Sequence, residues 1–435
     1  MKTGNLLTVR SLPSLVLILM AVLAGAGCSP ASESLRADAQ DIQIPQPSDE
    51  PRTLGNHRVP LDEIESIAIE PGWTRQFVGH VHVDMSAGGR VAMSSHQRRT
   101  GTVEVYNSQG EVEWSETYLG YDETLAWFAG DQGQAAAWVH RRSAEGLFIL
   151  YDRDGQELFR RQVQGSISAS VSGDGSRTAL VQHGEELLEI LDESGRVLSR
   201  LGVAVGSSVT PIPDWSGFVV ASDRALKLLD GQGRVMREDL LPRELVRDVA
   251  ASPGGSRLAV TTGGGDNSVT VLDGRGDQIW SHLLMPGGSN DLVYDAGGDR
   301  LLVYNVGLRG GLYLFDTRQG TLRWRQSLNV DPDETTATWR HVEFCSQGRR
   351  LVGILSLQDL TKESGLEEYQ LVIISTEGEF LLTAPLGTSL DVSLNADGSL
   401  LAVGGTVGGT GTIREAVRFY NLERLVNPAG ESSYR

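Results

Sequence analysis

The run Leu312-Tyr313-Leu314-Phe315-Asp316-Thr317-Arg318-Gln319-Gly320-Thr321-Leu322-Arg323-Trp324 reads as two short apolar strands joined by an Asp and a Gly. The phrase recurs from end to end of the chain. It stands at Tyr106-Asn107 to Gly110, Tyr151-Asp152 to Gly155, Leu191-Asp192 to Gly195, Leu229-Asp230 to Gly233 and Leu272-Asp273 to Gly276. After Phe315 a weaker copy, Ile374-Ser375 to Gly378, and a half-copy at Tyr420-Asn421 complete eight. Asp suits the turn because its carboxylate accepts nearby backbone amides, and Gly because it adopts positive φ at no steric cost. The strands alternate, as in Val103 and Val105 or Val269 and Val271, which is β periodicity.

A second hairpin sits in front of each Asp–Gly phrase. Its turn glycines are Gly89, Gly133, Gly175, Gly217, Gly255, Gly298, Gly348 and Gly398, again eight. Two hairpins per unit, repeating about every 40–50 residues, describe a β-propeller blade. The fold expected is all-β: an eight-bladed β-propeller of four-stranded antiparallel blades. The last unit stops short of a fourth strand, and an orphan apolar segment, Ile64-Glu65-Ser66-Ile67-Ala68-Ile69, precedes the first. That segment is expected to pair beside Val417 and Tyr420, so that an N-terminal strand closes the ring and no edge is left exposed. Fourth-strand aromatics (Trp114, Phe159, Trp280 and Trp324) are expected between adjacent blades.

The ends carry an address. Lys2 and Arg10 precede an apolar run at 15–23 that ends in Ala24-Gly25-Ala26-Gly27-Cys28, the plan of a secretory signal too short to span a membrane. Two cleavage sites fit: before Cys28, leaving it as a lipid-modified first residue, or after Ala26. Lipidation is favoured because it gives the cysteine a purpose. Residues 1–27 then form the signal peptide, 28–58 a polar, Pro-containing tether, 59–427 the propeller and 428–435 a tail. The tether is long enough to reach roughly 90 Å from a membrane if extended. The other cysteine, Cys345, lies in an apolar strand phase and is expected as a buried thiol.

A net charge of −18 over 435 residues excludes the phosphate neutralisation on which nucleic-acid binding rests. No Gly-x-Ser-x-Gly elbow and no His-Glu-x-x-His helix occurs, so no catalytic residue is expected.

The 312–324 phrase resembles a repeat of pyrroloquinoline-quinone-type propellers, and the Ser172 to Gly175 turn resembles those of WD-repeat and related bacterial propellers. The quinoprotein dehydrogenases of the first family use an adjacent cysteine pair and calcium. Cys28 and Cys345 are the only cysteines here, so the resemblance implies no quinone and no other cofactor. An eight-bladed propeller behind a lipoprotein-type signal is similar to the propeller subunit of the outer-membrane β-barrel assembly machine, a scaffold without catalysis. That resemblance implies a monomer in the periplasm, lipid-anchored to the outer membrane, with protein partners in the envelope and no other membrane contact.

Two groups of residues are candidates for function. Seven positions before each first-hairpin glycine stand His82, Ala126, Ser168, Thr210, Asp248, Asp291, His341 and Asp391, a polar column expected to line the axial channel near one face. His82, Asp248, Asp291, His341 and Asp391 are its candidate ligand groups for a cation or small molecule, against the plainer reading of a wet, polar wall. His80, His82 and Asp84 alternate on one strand face with a possible chelate spacing. The second group lies in the long late insertions at 329–340, 358–369 and 404–414, with Trp339 as an exposed anchor and Asp359, Glu367 and Tyr369 beside it as partner-binding candidates.

Overall fold

Eight sheets make up the molecule, each built on four antiparallel strands, which come from consecutive sequence in all but the last. The computed structural model describes residues 57–59 and 64–423, apart from short stretches at 78–79, 130–132, 142–144, 223–224, 239, 242–244, 264–266, 285–288, 307–310, 329–334, 346–349, 362–366, 389–390, 396–397 and 408–413. The expected signal peptide, Cys28, nearly all of the tether and the C-terminal tail lie outside the described residues. Blades are numbered in chain order: 80–119, 123–164, 167–202, 208–237, 245–283, 289–328, 335–387 and 391–421. The eight-bladed propeller expected from the repeats is the architecture observed.

The second hairpin closes as its residues predict. In blade 2, Asp152 Oδ1 accepts the amides of Asp154 (2.9 Å) and Gln156 (2.8 Å), and Gly155 takes φ +83°. Glycine is required there twice over, because a Cβ on Gly155 would also lie 2.5 Å from the ring of Trp114 in blade 1. The same seat recurs: Phe159 lies over Gly195, Trp280 over Gly320 and Trp324 over Gly378. Each fourth-strand aromatic therefore packs on the Asp–Gly turn of the following blade. Two of the indoles also bond into it: Trp280 Nε1 donates to Thr317 O (2.9 Å) and Trp324 Nε1 to Thr376 O (2.7 Å).

An N-terminal strand closes the ring as expected, but that rule selects a different one. The strand that completes blade 8 is Trp73–Phe77, antiparallel to Arg414–Asn421, not the segment at 64–69. Trp73 lies on Gly110 of blade 1 and donates to Ser108 O at 3.2 Å, as Trp280 and Trp324 do to their following blades. The 64–69 segment lacks such an aromatic and lies one blade earlier. Ile67 N bonds Thr383 O (2.9 Å) and Thr383 N bonds Glu65 O (2.8 Å) on the outer strand of blade 7. There Ile67 and Ile69 cover Leu381 and Leu382. Earlier still, His57–Val59 adds a parallel fifth strand to blade 6 at Gln326–Leu328. The described N-terminal chain thus runs round the rim over blades 6, 7 and 8 in turn. A second correction follows: closure seals the ring, but each blade keeps an outer edge.

The core is a set of radial wedges rather than one centre. Val293, Leu302 and Trp324 of blade 6 meet Trp339, Leu351 and Val372 of blade 7, and Val219 and Leu228 of blade 4 meet Val249 and Leu258 of blade 5. Cys345 is buried between blades 7 and 8, as its strand phase suggested. Trp339 is fully buried, its ring against Gly353, where a Cβ would come within 2.5 Å of it. The exposed anchor expected at Trp339 is therefore wrong. Its strand phase turns the indole into the wedge, where burying so large a side chain stabilises the joint.

Candidate channel ring and interaction face

First strands stand at one end of every sheet and touch the first strands of neighbouring blades, so the polar column runs along this inner set. Two of its members change. In blade 4 the turn runs from Ile212 to Trp215, whose amide bonds Ile212 O at 2.7 Å and whose φ of +57° takes the place of a glycine. Gly217 already belongs to the next strand, Gly217–Ser222. The ring position is therefore Ser208, and Thr210 stands two residues further on. In blade 2 the turn starts at Ala129, which bonds Gln134 O as Ser172 bonds Arg177 O, so the ring position is Leu125 and not Ala126. The ring reads His82, Leu125, Ser168, Ser208, Asp248, Asp291, His341 and Asp391. Only Leu125 is apolar.

The carboxylates of this ring hold neighbouring blades together. Asp248 Oδ2 accepts Leu292 N of blade 6 (2.9 Å) while Oδ1 accepts Val249 N (2.8 Å). Asp391 repeats the pattern, taking Val83 N of blade 1 (2.9 Å) and Val392 N (3.0 Å). Two residues along, Ser170 Oγ donates to Val209 O and Thr210 Oγ1 to Val249 O, each at 3.4 Å and each into the next blade. A sheet edge at the channel presents unpaired backbone groups; the two aspartates satisfy amides, and Ser170 and Thr210 satisfy carbonyls, across these four joints. The Asp–apolar pairs Asp248-Val249, Asp291-Leu292 and Asp391-Val392 were the available signal for this role.

At the junction of blades 8, 1 and 2 the charges concentrate. His82 Nδ1 lies 3.7 Å from Asp391, and His80 Nδ1 lies 3.4 Å from Glu415, whose other oxygen accepts Val81 N at 2.6 Å. Asp84 accepts Phe128 N of blade 2 (2.8 Å) and the Ser393 hydroxyl of blade 8 (3.0 Å). His80, His82 and Asp84 therefore diverge to separate partners. Among the described residues no three His, Cys, Asp or Glu side chains gather where one metal ion would touch them all. Burial drives the Asp84 carboxyl up to about 6 despite its donors, the Phe128 amide foremost. Burial likewise raises Glu415. For His82 burial works against the charged ring, but Asp391, Glu123 and Glu415 outweigh it and hold the imidazole above its usual value.

The described parts of the late insertions are mostly strand. The first three strands of blade 7 are Thr335–Phe344, Arg350–Asp359 and Glu367–Ser375. The first of them begins six residues before its ring position, His341, whereas blade 1 begins two before His82 and blade 5 three before Asp248. At roughly 3.3 Å per residue, blade 7 stands about 10–13 Å proud of the face on which the first strands begin. In blade 8, Leu400–Val407 and Arg414–Asn421 lengthen the adjoining hairpin at the same end. Glu367 braces the projection: Arg340 Nη2 donates to both its oxygens (2.8 and 2.7 Å), joined by Ser356 Oγ (3.0 Å) and the Tyr369 hydroxyl (2.9 Å). Burial alone would raise the Glu367 carboxyl, but Tyr369 and Arg340 bring it below its ordinary value. Asp359 closes the strand end by accepting Thr361 N (2.9 Å) and its hydroxyl (2.6 Å). Leu360, about half exposed, stands beside it.

No family model and no curated protein matches the chain. Among solved structures, the C-terminal WD40 domain of Sif2 superposes with a TM-score of 0.58 at 12% identity, over 82% of this chain and 99% of that one. BamB from Moraxella catarrhalis gives 0.50 at 14% identity, over 81% of this chain and all of that one. At such identities the likeness is one of fold, and the chain shares the β-propeller fold with both.

Proposed function

We propose that this chain is a non-catalytic scaffold that binds protein partners on the face where blade 7 projects. It is held in the periplasm by a lipid on Cys28, at the outer membrane, and serves outer-membrane protein assembly. The observation that carries the reading is the braced projection itself. Strands of nine and ten residues replace the usual five to seven, and the Arg340–Glu367 pair braces them, leaving a rigid surface for a partner. The ring residues Asp248 and Asp391 support it by a different route, since their oxygens are engaged in holding blades together rather than turned to a substrate. Fold likeness to BamB and the lipoprotein-type signal support the location.

Two experiments test this. Leu360→Arg with Glu368→Arg, both on exposed positions of the projection, lowers capture of outer-membrane assembly components by the full-length protein at least about tenfold, without changing its unfolding midpoint. Undiminished capture rejects the face. Cys28→Ser releases the protein from the membrane fraction, and a variant that still sediments with membranes rejects the anchor.

A further inference from the structure

The outer edges of the blades are guarded unequally. Charged residues on an edge strand oppose the addition of another strand, because pairing would desolvate them. The fourth strand of blade 1 (Val112–Leu119) carries Glu113 and Glu116, that of blade 2 (Glu157–Gln164) Glu157, Arg160 and Arg161. Blade 3 (Val197–Gly202) has Arg200, blade 4 (Val235–Arg237) has Arg237, and the closing strand of blade 8 has Arg75. Blade 6 is covered by His57–Val59. The fourth strand of blade 7 (Phe380–Gly387) has no charged residue, but it contains Pro385 and is covered by residues 65–67.

Blade 5 breaks the pattern. Its fourth strand, Gln278–Leu283, reads Gln278-Ile279-Trp280-Ser281-His282-Leu283, with no charged residue and no proline. No further strand pairs with it among the described residues. Ile279 is 43% exposed and Leu283 is 68% exposed, on one face with Ser281 between them. His282 adds no charge at neutral pH, since burial against Phe315 lowers its pKa. The strand is thus a neutral edge with an apolar row on its solvent side, and it adjoins the edge that already holds an added strand. Counted back from the turn aspartates, Val269 matches Leu312. Their partners His282 and Gln326 therefore match too, so that His282 and Leu283 stand where His57 and Arg58 pair in blade 6.

We propose that the outer edge of blade 5 is a strand-addition site for an extended, uncharged segment of a partner protein with apolar residues at alternate positions. The segment continues on blade 5 the parallel pairing that the chain's own strand makes on blade 6. Backbone bonds give it affinity, and its alternate side chains lie beside Ile279 and Leu283. This surface is on the rim and does not depend on the face assigned above.

The test uses the full-length protein and a fluorophore-labelled peptide of four Thr-Val repeats, followed by anisotropy. A peptide of the same composition with two central residues replaced by proline is the control. Wild type binds the alternating peptide and not the proline one. Ile279→Lys with Leu283→Lys weakens binding at least about tenfold while leaving thermal unfolding unchanged, because both side chains face water. Leu119→Lys, on the guarded edge of blade 1, leaves binding as it was. The proposal falls if wild type does not bind, if the double variant binds as well as wild type, or if Leu119→Lys weakens binding equally. It also falls if sedimentation shows a dimer that the double variant dissolves, since a second copy then owns the edge. Tighter peptide binding after deletion of residues 29–56 likewise overturns it, by assigning the edge to the chain's own N-terminal segment.

Discussion

The aspartates of the outer turns and Asp84 at the junction of blades 8, 1 and 2 do the same thing, accepting backbone amides, in opposite surroundings. Asp192 stands part-exposed on an outer turn; the Ser194 hydroxyl and the amides of Ser194 and Arg196 lower its pKa to about 2. Asp84 has donors of the same kind, yet burial raises it to about 6. The difference shows that donors alone do not set a carboxylate's charge. At the rim water solvates the ion and the donors add to it, whereas between blades the donors offset only part of the lost hydration.

The comparison can be broken first at the glycine. If the outer turns matter through their packing rather than their aspartates, Gly155→Ala has the largest effect of all. It forces a Cβ at φ +83° into Trp114, and urea titration should show a loss of about 3 kcal/mol or more. Next, Asp84→Ala leaves the Phe128 amide unpaired and costs about 2 kcal/mol at pH 5. The cost should be smaller at pH 7, where the substitution also removes a buried negative charge. Asp192→Ala removes a part-exposed acceptor only. Its cost should be smaller than that of Asp84→Ala, with hydrogen exchange of the Phe128 amide unchanged.

Acid sharpens the contrast because the signs differ. The folded form of Asp84 binds a proton more tightly than the unfolded chain does. Its contribution to stability therefore rises as pH falls from about 6 to about 4 and is flat below. Asp192 has the opposite sign: its contribution is present above about pH 4 and is lost as pH falls towards 2. Asp84→Asn, which keeps an acceptor, should abolish the slope between pH 6 and 4 and leave the loss below pH 4 intact. The smallest effect belongs to His82, whose raised pKa makes its pairing with Asp391 favourable below the ordinary histidine value and lost as pH rises through the folded one. His82→Gln should cost less than about 1 kcal/mol at pH 5.5 and nothing at pH 8.

The recurring phrases alone made the propeller, its eight blades and the Asp–Gly turns legible, because turn chemistry and strand alternation are local and act the same way in each copy. The aromatic between blades was legible for the same reason, and Trp73 carried that signature too: Gly72-Trp73-Thr74 stands beside Glu113-Trp114-Ser115. The ring at the channel was legible as a polar column, but its register slipped in blades 2 and 4. A glycine in sequence does not say which residue of a turn takes positive φ, and in blade 4 Trp215 does so.

What the sequence could not determine was the partner of each side chain in the next blade. Asp391 and Val83 are 308 positions apart and meet only because the ring closes. Trp339 was misread because an alternating strand has two possible faces, and only the wedge between blades 6 and 7 decides which is inside. The same holds at the rim. Gln278–Leu283 is an ordinary apolar strand in sequence, and it becomes an unguarded edge only because the described N-terminal chain covers blades 6, 7 and 8 but not blade 5. Local chemistry repeats and can be read along one chain. Closure, face and cover are relations between distant segments, and they exist only once those segments are brought together.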